Sequence, residues 1–521
     1  MNRIIFTILL LVASFTVANG QLKHNAITPK DPAAETVPQE VRGEVIDGTF
    51  DSSEIYPGTL RKFQIFVPQK YDGKKPACLL LGLDGNLFNA ITVMDNLIRT
   101  GEMPVTIGVF VEPGVSYLPD GTVVRYNRSN EFDRTSGELA LFIETELLPH
   151  IESLKCSDGR AIIISKDPND RAITGASSSG IGAFTVAWER PDLFSRVYSS
   201  VGTFVAMRGG NEYPAIIRKS EPKPLRIFLQ DGVNDTWNHI FGDWWEYNQL
   251  MSSALNFAGY EFDFKWDRGT HSIYYGTRAY PDAMRWLWRG WPEPVQIGES
   301  MNGMLQSLLV EGENWKEVEE LPSEILEQME PKEASPSVKR AIKAEPFQTT
   351  TLQGGRRYIS DSNGCLWLID NGGKPFRLNT LPTGAAHFAI YPHNRLLITS
   401  EKNSNWLISY IIGEDGTLQA GQRFYWLHNS DNHTLDPVGN MAFDTAGNLY
   451  VATSMGIQVC DQNGRVRAIL SPMGHSNVEA VYLSGSRIYA LADGKWHVRT
   501  IAHTGYDPMQ GPIDVESQGQ G

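Results

Sequence analysis

The chain has 521 residues, 41% of them hydrophobic and 20% charged, with a formal net charge of −14. That length is too great for one core and predicts two domains, and the composition is that of a folded chain rather than a disordered one. The acidic balance excludes the basic face a nucleic-acid binder needs, so no nucleic-acid partner is expected.

The opening "MNRIIFTILLLVASFTVANGQ" carries one positive charge (Arg3), then an apolar run, then small residues. It reads as a secretory signal over residues 1–20, cleaved after Gly20, which predicts a periplasmic or secreted protein. No later run is long enough to span a bilayer, so no membrane partner is expected after cleavage. Residues 21–45 are polar and contain proline, and read as a loose leader.

From 46 to 295 strands alternate with helices. "KFQIFVP", "ACLLLGL", "VTIGVFV", "RAITG", "RVYSSVG", "LRIFLQ" and "FDFKW" read as strands. "SGELALFIETELLPHIES", "SSGIGAFTVAWERP", "WWEYNQLMSSALNFAG" and "AYPDAMRWLWRG" carry helical periodicity. The alternation predicts an α/β domain whose mostly parallel sheet is covered on both faces. Residues 296–350 are charged and Pro-containing and read as a linker that few contacts cross.

Over 351–508 a polar turn before an apolar strand recurs in "SDSNGCLWLID", "YPHNRLLITS", "DTAGNLYVAT" and "LSGSRIYALA". Their spacing fits propeller blades of roughly 40 residues. About four such units are few for a closed ring, so an incomplete propeller and an irregular sandwich both stay open. Residues 509–521 read as a flexible tail. The four cysteines, Cys78, Cys156, Cys365 and Cys460, show no C-x-x-C spacing, which leaves a zinc knuckle or redox motif without support. Cys78 reads as a buried thiol, and a disulfide pairing cannot be assigned from spacing.

The chemistry concentrates in "RAITGASSSGIGAF". A nucleophile elbow needs a strand, a tight turn with the nucleophile at its apex, and a helix. The residues two before and two after the apex must be small, because the helix crosses the strand closely. With Ser177 at the apex those residues are Gly175 and Ser179. An apex at Ser178 or Ser179 leaves no glycine to open the turn. The helix start aims backbone N–H groups at the site, as an oxyanion requires, which singles out Ser178.

A serine needs a base, and in this arrangement the chain order is Ser, then Asp or Glu, then His. "LRIFLQDGVNDTWN" is an apolar strand ending in a loop that offers Asp231 and Asp235, of which Asp235 stands further out. "FDFKWDRGTHSIYYG" ends a strand with His271 in a Gly-containing loop. His24, His150 and His239 occupy the leader, a helix end and the acid loop. A second oxyanion donor is expected from Gly85 or Asn86 in "LLLGLDGNLF". Trp237, Trp244 and Trp245 follow the acid loop. Trp237 reads as a stacking wall for substrate, and Trp244 and Trp245 equally as core.

Taken together, residues from about 46 to 295 resemble the enterochelin-esterase (esterase D) branch of the α/β-hydrolases. The resemblance rests on "LDG" after the early strand, "RSNEFD", "ELLPHIE", the G-x-S-x-x-G elbow, "FLQDGVND" and G-x-H-S before "DAMRWLW". It implies an α/β-hydrolase fold and a triad at Ser177, Asp235 and His271, with no cofactor. It also implies that Arg128 and Glu131 of "RSNEFD" lie at the substrate. Ser179 stands where the family has glycine.

Residues from about 355 to 505 resemble the gluconolactonase and senescence-marker-protein propellers, most clearly in "GNMAFDTAGNLYVATSMGIQVCDQNGRV". "LVEGENWKEVEE" is similar to the opening of such a domain. That family holds a divalent metal by Glu, two Asn and Asp, but Gly439 stands where the Asp belongs and the expected Asn is missing from "TGAAHFAIYP". No metal site is therefore expected, because a hard cation needs several oxygen ligands. The reading that follows is a secreted serine esterase acting on small-molecule or polysaccharide acyl esters. Acetyl or feruloyl esters of carbohydrate and siderophore-type esters are both compatible. A metal-dependent sugar lactonase and a non-enzymatic binding protein are the alternatives.

Overall fold

The computed structural model describes residues 30–329, 338, 342, 346–370, 373–378, 387–401, 403–429, 438–474 and 477–515. The expected signal segment, the first part of the leader with His24, part of the linker, the first four residues of the missing-Asn segment and the end of the tail lie outside them.

The first domain is built on eight strands: β1 (Glu44–Phe50), β2 (Arg61–Val67), β3 (Cys78–Leu83), β4 (Thr106–Val111), β5 (Arg171–Ala176), β6 (Arg196–Ser200), β7 (Arg226–Gly232) and β8 (Glu261–Asp267). They lie in the order β1-β2-β4-β3-β5-β6-β7-β8. β2 is antiparallel to β1 and β4, and from β4 to β8 every pairing is parallel. Every residue of β3 to β7 is buried, which is why these strands read as apolar runs rather than alternating ones.

Strand alternation splits the core in two. Leu79, Leu81, Ile173, Val197 and Ile227 pack on one face, and Leu80, Ala172, Tyr198 and Phe228 on the other. Helices α1 (Ala90–Thr100), α2 (Ser178–Glu189), α3 (Trp244–Phe257) and α4 (Ile273–Trp288) cover them. This is the α/β-hydrolase architecture, with the strand order reversing at β3/β5, where a crevice opens at the carboxyl ends.

Two local readings change. The helix expected over "SGELALFIETELLPHIES" is interrupted by a π turn at Ile143–Leu147. The end of the leader is docked rather than loose: Ala33 and Val37 are buried, and Asn96 Nδ2 donates to the Ala33 and Glu35 carbonyls at 2.9 and 2.8 Å.

The second domain is a propeller-like arrangement of four blades, each a four-stranded antiparallel sheet. Each of the four recurring motifs spans one hairpin turn of a different blade, for example "DTAGNLYVAT" between Met441–Phe443 and Leu449–Thr453. One blade borrows its outermost strand from the stretch read as linker: Lys316–Val318 pairs antiparallel with Lys495–Thr500. Leu305, Leu308 and Trp315, in the same stretch, are buried against Ile457, Val459 and Ile488.

The expectation that few contacts join the two halves is also corrected. Glu221 N–H donates to the Ile469 carbonyl at 3.0 Å, and Asn302 Nδ2 donates to the Arg218 and Arg467 carbonyls at 2.9 and 2.8 Å. Lys219 Nζ meets His428 Nε2 at 2.8 Å, where burial and then the lysine charge lower the imidazole to about 4. Asn302 makes its contacts from within the charged stretch, while Lys219, Glu221, His428 and Ile469 lie on either side of it, and no local sequence pattern marks any of them. Among the described residues no helix is long and apolar enough to cross a membrane.

Candidate active site

Ser177 sits between β5 and α2 with φ 58° and ψ −122°, a conformation that costs a non-glycine residue about 1–3 kcal/mol. Its N–H donates to the Ser200 carbonyl at 3.0 Å, and its carbonyl accepts from Thr203 N–H at 3.1 Å. Gly175 is required by contact. A Cβ there would lie 2.0 Å from the Ser179 carbonyl oxygen, so strand and helix could not cross. Ser179 is fully buried and does more than fit: its hydroxyl donates to the Ala176 carbonyl at 2.7 Å and accepts from the Ala176 N–H at 2.8 Å. Size alone suggested Ser179 from the sequence; its hydroxyl ties the elbow shut.

His271 Nε2 lies 2.8 Å from Ser177 Oγ, and His271 Nδ1 lies 2.7 Å from Asp235 Oδ1. With the proton on Nδ1, the ring donates to Asp235 and leaves Nε2 to accept from the serine. The two loops that carry these groups are stitched together. Val233 N–H donates to the Asp267 carbonyl and Asn234 N–H to the Gly269 carbonyl, each at 3.0 Å, and Asn234 Nδ2 donates to the Arg268 carbonyl at 2.8 Å. The approach depends on Gly232, where a Cβ would meet the Gly269 carbonyl oxygen at 2.4 Å.

Thr203, which sequence reasoning did not name, and Trp244, which it read equally as substrate wall or core, complete the floor. Thr203 Oγ1 lies 3.3 Å from Ser177 Oγ and accepts from Trp244 Nε1 at 3.2 Å. The buried Trp244 ring meets His271 edge-on at 5.6 Å. Trp245 packs against Trp266 instead. Trp237 is exposed on the hairpin after Asp235, with its ring against His239 at 4.3 Å. Thr203 lies 26 residues from Ser177 in a segment without a motif, so no sequence signal marks it.

Of the two loop residues expected to offer an oxyanion donor, one has its N–H engaged elsewhere and the other does not. Ser178 opens α2, where its N–H has no intrahelical acceptor. Gly85 does not serve, because its N–H is spent on the Val111 carbonyl at 3.0 Å. The Asn86 N–H has no protein acceptor among the described residues and remains the donor that loop can offer.

Arg128 and Glu131 differ from the expectation that both face substrate. Arg128 forks onto Asp84, with Nε 2.9 Å from Oδ1 and Nη2 2.6 Å from Oδ2, while Nη1 donates to Ser178 Oγ at 3.0 Å. It joins the loop after β3 to the elbow. Glu131 is buried in a bidentate pair with Arg61, at 2.9 and 3.1 Å, and accepts from Gly114 N–H. A carboxylate so enclosed has no reach to substrate; its neighbour three residues earlier takes the exposed side of the same short helix.

A cavity of about 410 Å3 adjoins His271 in the chain, lined by Ser272, Ile273, Tyr274, Pro281, Ala34 and Arg278 among others. Asn86 lines a more polar groove of about 500 Å3 with Asp47, Lys62, Gln64 and Glu112.

Among the described residues of the propeller, the position where the resemblance places a metal-binding Asp is closed to a carboxylate. At Gly439 a Cβ would come within 2.5 Å of the Glu479 carbonyl oxygen and 2.9 Å of Ala452 Cβ, so no carboxylate fits there. Among the described residues no group of three His, Cys, Asp or Glu side chains is placed to hold a metal ion. The four cysteines are free, with Cys78, Cys156 and Cys460 buried.

Residues 53–275, which include Ser177, Asp235 and His271, match the Esterase family. Solved structures similar to part of the chain include a ferulic acid esterase at 20% identity, covering 47% of this chain and 99% of its own, with a TM-score of 0.36. The enterobactin esterase of Shigella flexneri is 18% identical over 50% of this chain, with a TM-score of 0.38; the match spans 63% of that protein's length. A gluconolactonase-like structure is 12% identical over 31% of this chain and 60% of its own, with a TM-score of 0.28. No curated protein sequence matches the chain.

Proposed function

We propose that the carboxylic ester hydrolase built on residues 53–275 is a serine enzyme, with Ser177 as nucleophile, His271 as base and then acid, and Asp235 as the carboxylate that orients the ring. The observation that carries this reading is the unbroken relay from Asp235 through His271 to a serine held in a strained elbow, at 2.7 and 2.8 Å.

Ser177 Oγ attacks the ester carbonyl while its proton passes to His271 Nε2. The oxygen that becomes negative is met by the N–H groups of Ser178 and Asn86, donors fixed before the charge develops. His271 returns the proton to the departing alcohol, leaving an acyl group on Ser177. Water then attacks that acyl group, giving its proton to His271, which passes it to Ser177 as the acid leaves.

The cavity lined by Ser272, Ile273, Tyr274 and Pro281, which follow His271 in the chain, suits an aromatic or extended acyl group, and the polar groove at Asn86 suits a hydroxyl-rich alcohol. We therefore favour acyl esters of carbohydrate, feruloyl before acetyl, with siderophore-type esters as the second substrate class. The apolar run after Arg3 supports a periplasmic or secreted location. The test is a fluorophosphonate probe followed by peptide mapping, alongside turnover of feruloyl, acetyl and catecholate esters. Labelling at Ser177 with turnover of a feruloyl ester supports the reading. An unlabelled protein, or label retained in Ser177→Ala, overturns it.

A further inference from the structure

Asp231, four residues before Asp235, has no part in the relay as described. It sits at the end of β7 with its side chain wholly buried. Its Oδ1 accepts from Gly232 N–H at 2.7 Å, and its Oδ2 is buried with no donor. Asp235 is built the same way. Its Oδ1 accepts from His271 Nδ1 and from Thr236 N–H, and its Oδ2 is buried with no donor. A tight turn, closed by Asp235 N–H donating to the Gly232 carbonyl at 2.9 Å, folds Asp235 back to the end of β7, where its charge acts on the Asp231 carboxyl.

Two neighbouring carboxylates away from water cannot both be ionised, and a buried acceptor without a donor is costly. One proton between the two orphaned oxygens removes both difficulties. We propose that Asp231 is a positioning residue of the relay: it stays protonated and donates its hydroxyl to Asp235 Oδ2. The pair then carries one negative charge, and that charge faces His271. Asp235 is thereby held at both oxygens, one by the imidazole and Thr236 and the other by Asp231.

The surroundings decide which aspartate keeps the proton. Asp235 faces the imidazole that becomes positive during turnover. Asp231 lies with Ile227 and Leu229 on the face of β7 towards α3, whose inward residues Trp244, Asn248 and Met251 carry no charge. On the adjacent strand, Asp267 adds a second negative neighbour, itself held by Gly269 N–H and Gln230 Nε2. Burial first, and then Asp235 and Asp267, push the Asp231 carboxyl well above its ordinary range.

This inference rests on the serine-esterase reading, and its test separates the two. Asp231→Asn keeps a donor towards Asp235 and an acceptor for Gly232, whereas Asp231→Ala removes both. In Asp231→Ala, kcat should fall about tenfold or more, the rate equivalent of one unsatisfied buried acceptor. Asp231→Asn should recover most of that loss, with the acidic limb of its kcat/KM profile where the wild type has it. A limb moved down by about one pH unit in Asp231→Asn would show that Asp231 is charged beside His271, and would overturn the proposal.

Stability provides a readout independent of turnover. A carboxyl raised in the folded chain binds a proton that the unfolded chain has released, so the wild type loses stability as pH rises above the ordinary aspartate value of 3.8. Asp231→Asn lacks that loss, and its Tm relative to wild type should rise between pH 4 and pH 7. A difference that does not change with pH overturns the proposal. Fluorophosphonate labelling of wild type decides the esterase reading separately: without label that reading fails, while the Tm comparison still decides where the proton resides.

Discussion

Two aspartate–histidine pairs in this molecule share nearly the same geometry. In the first domain His271 Nδ1 lies 2.7 Å from Asp235, and in the propeller His503 Nδ1 lies 2.7 Å from Asp444. Both aspartates have fully buried side chains, and the imidazoles are 28% and 19% exposed. What differs is the surroundings. Asp444 also accepts from Asn448 N–H, Asn448 Nδ2 and Tyr450 Oη, so it ties a blade turn together, and among the described residues no hydroxyl meets His503 Nε2. Asp235 is tied to no blade turn, and its histidine points at a serine whose backbone is strained. The dyad alone is a structural device; chemistry enters with the third group and the strain that presents it.

That contrast can be broken or sharpened by mutation. The largest effect on turnover is expected from Ser177→Ala, with kcat down by roughly 10⁴ or more in a steady-state ester assay and no loss of Tm. The change removes only the Oγ contacts to His271 and Thr203 and keeps the backbone hydrogen bonds that hold the elbow. Retained turnover would place the nucleophile elsewhere.

Next comes Gly232→Ala. Its methyl group would be driven into the Gly269 backbone at 2.4 Å, pushing apart the loops that carry Asp235 and His271. A misplacement of an ångström costs about 10²-fold in kcat, so a nearly wild-type rate here would mean that the loops can relax. Thr203→Val should cost less, about tenfold, because it removes one hydroxyl contact to Ser177 and the acceptor of Trp244 while keeping the side-chain volume.

Ser179→Gly removes two buried hydrogen bonds to Ala176 and should lower stability by about 1–2 kcal/mol in a denaturant melt. Its kcat should change only a few-fold, since the Ser177 side chain is untouched. Asp444→Asn should have no effect on small-ester kcat, though it should lower Tm by weakening charge-assisted bonds within its blade. A loss of turnover in Asp444→Asn with the fold intact would erase the division between the two dyads.

Much of the site was legible in the amino-acid order. Ser177, Asp235 and His271 each follow an apolar strand, and a parallel strand's carboxyl end is where its loop must enter the crevice. Chain order and strand-end placement therefore converge on three residues with no knowledge of their distances. The small residues at 175 and 179 were legible for the same local reason, because a helix leaving a strand through one residue must cross it closely. The four blade motifs were legible as a repeat, since each hairpin turn carries its own polar signal.

The rest was decided by tertiary contacts between positions far apart in sequence. Gly85 looked like an oxyanion donor until the pairing of β3 with β4 placed its N–H on Val111. Glu131 looked like a substrate ligand until Arg61, 70 residues earlier, enclosed it in a buried ion pair. The charged stretch before the propeller looked like a bare tether, yet it supplies a blade strand through a partner nearly 180 residues later. Local sequence determines which side chains stand at which strand ends, because backbone sterics and hydrophobic periodicity act over a few residues. Whether a polar group there is free to act or already satisfied depends on which distant acceptor the packed sheet brings to it, and only the folded chain makes that choice.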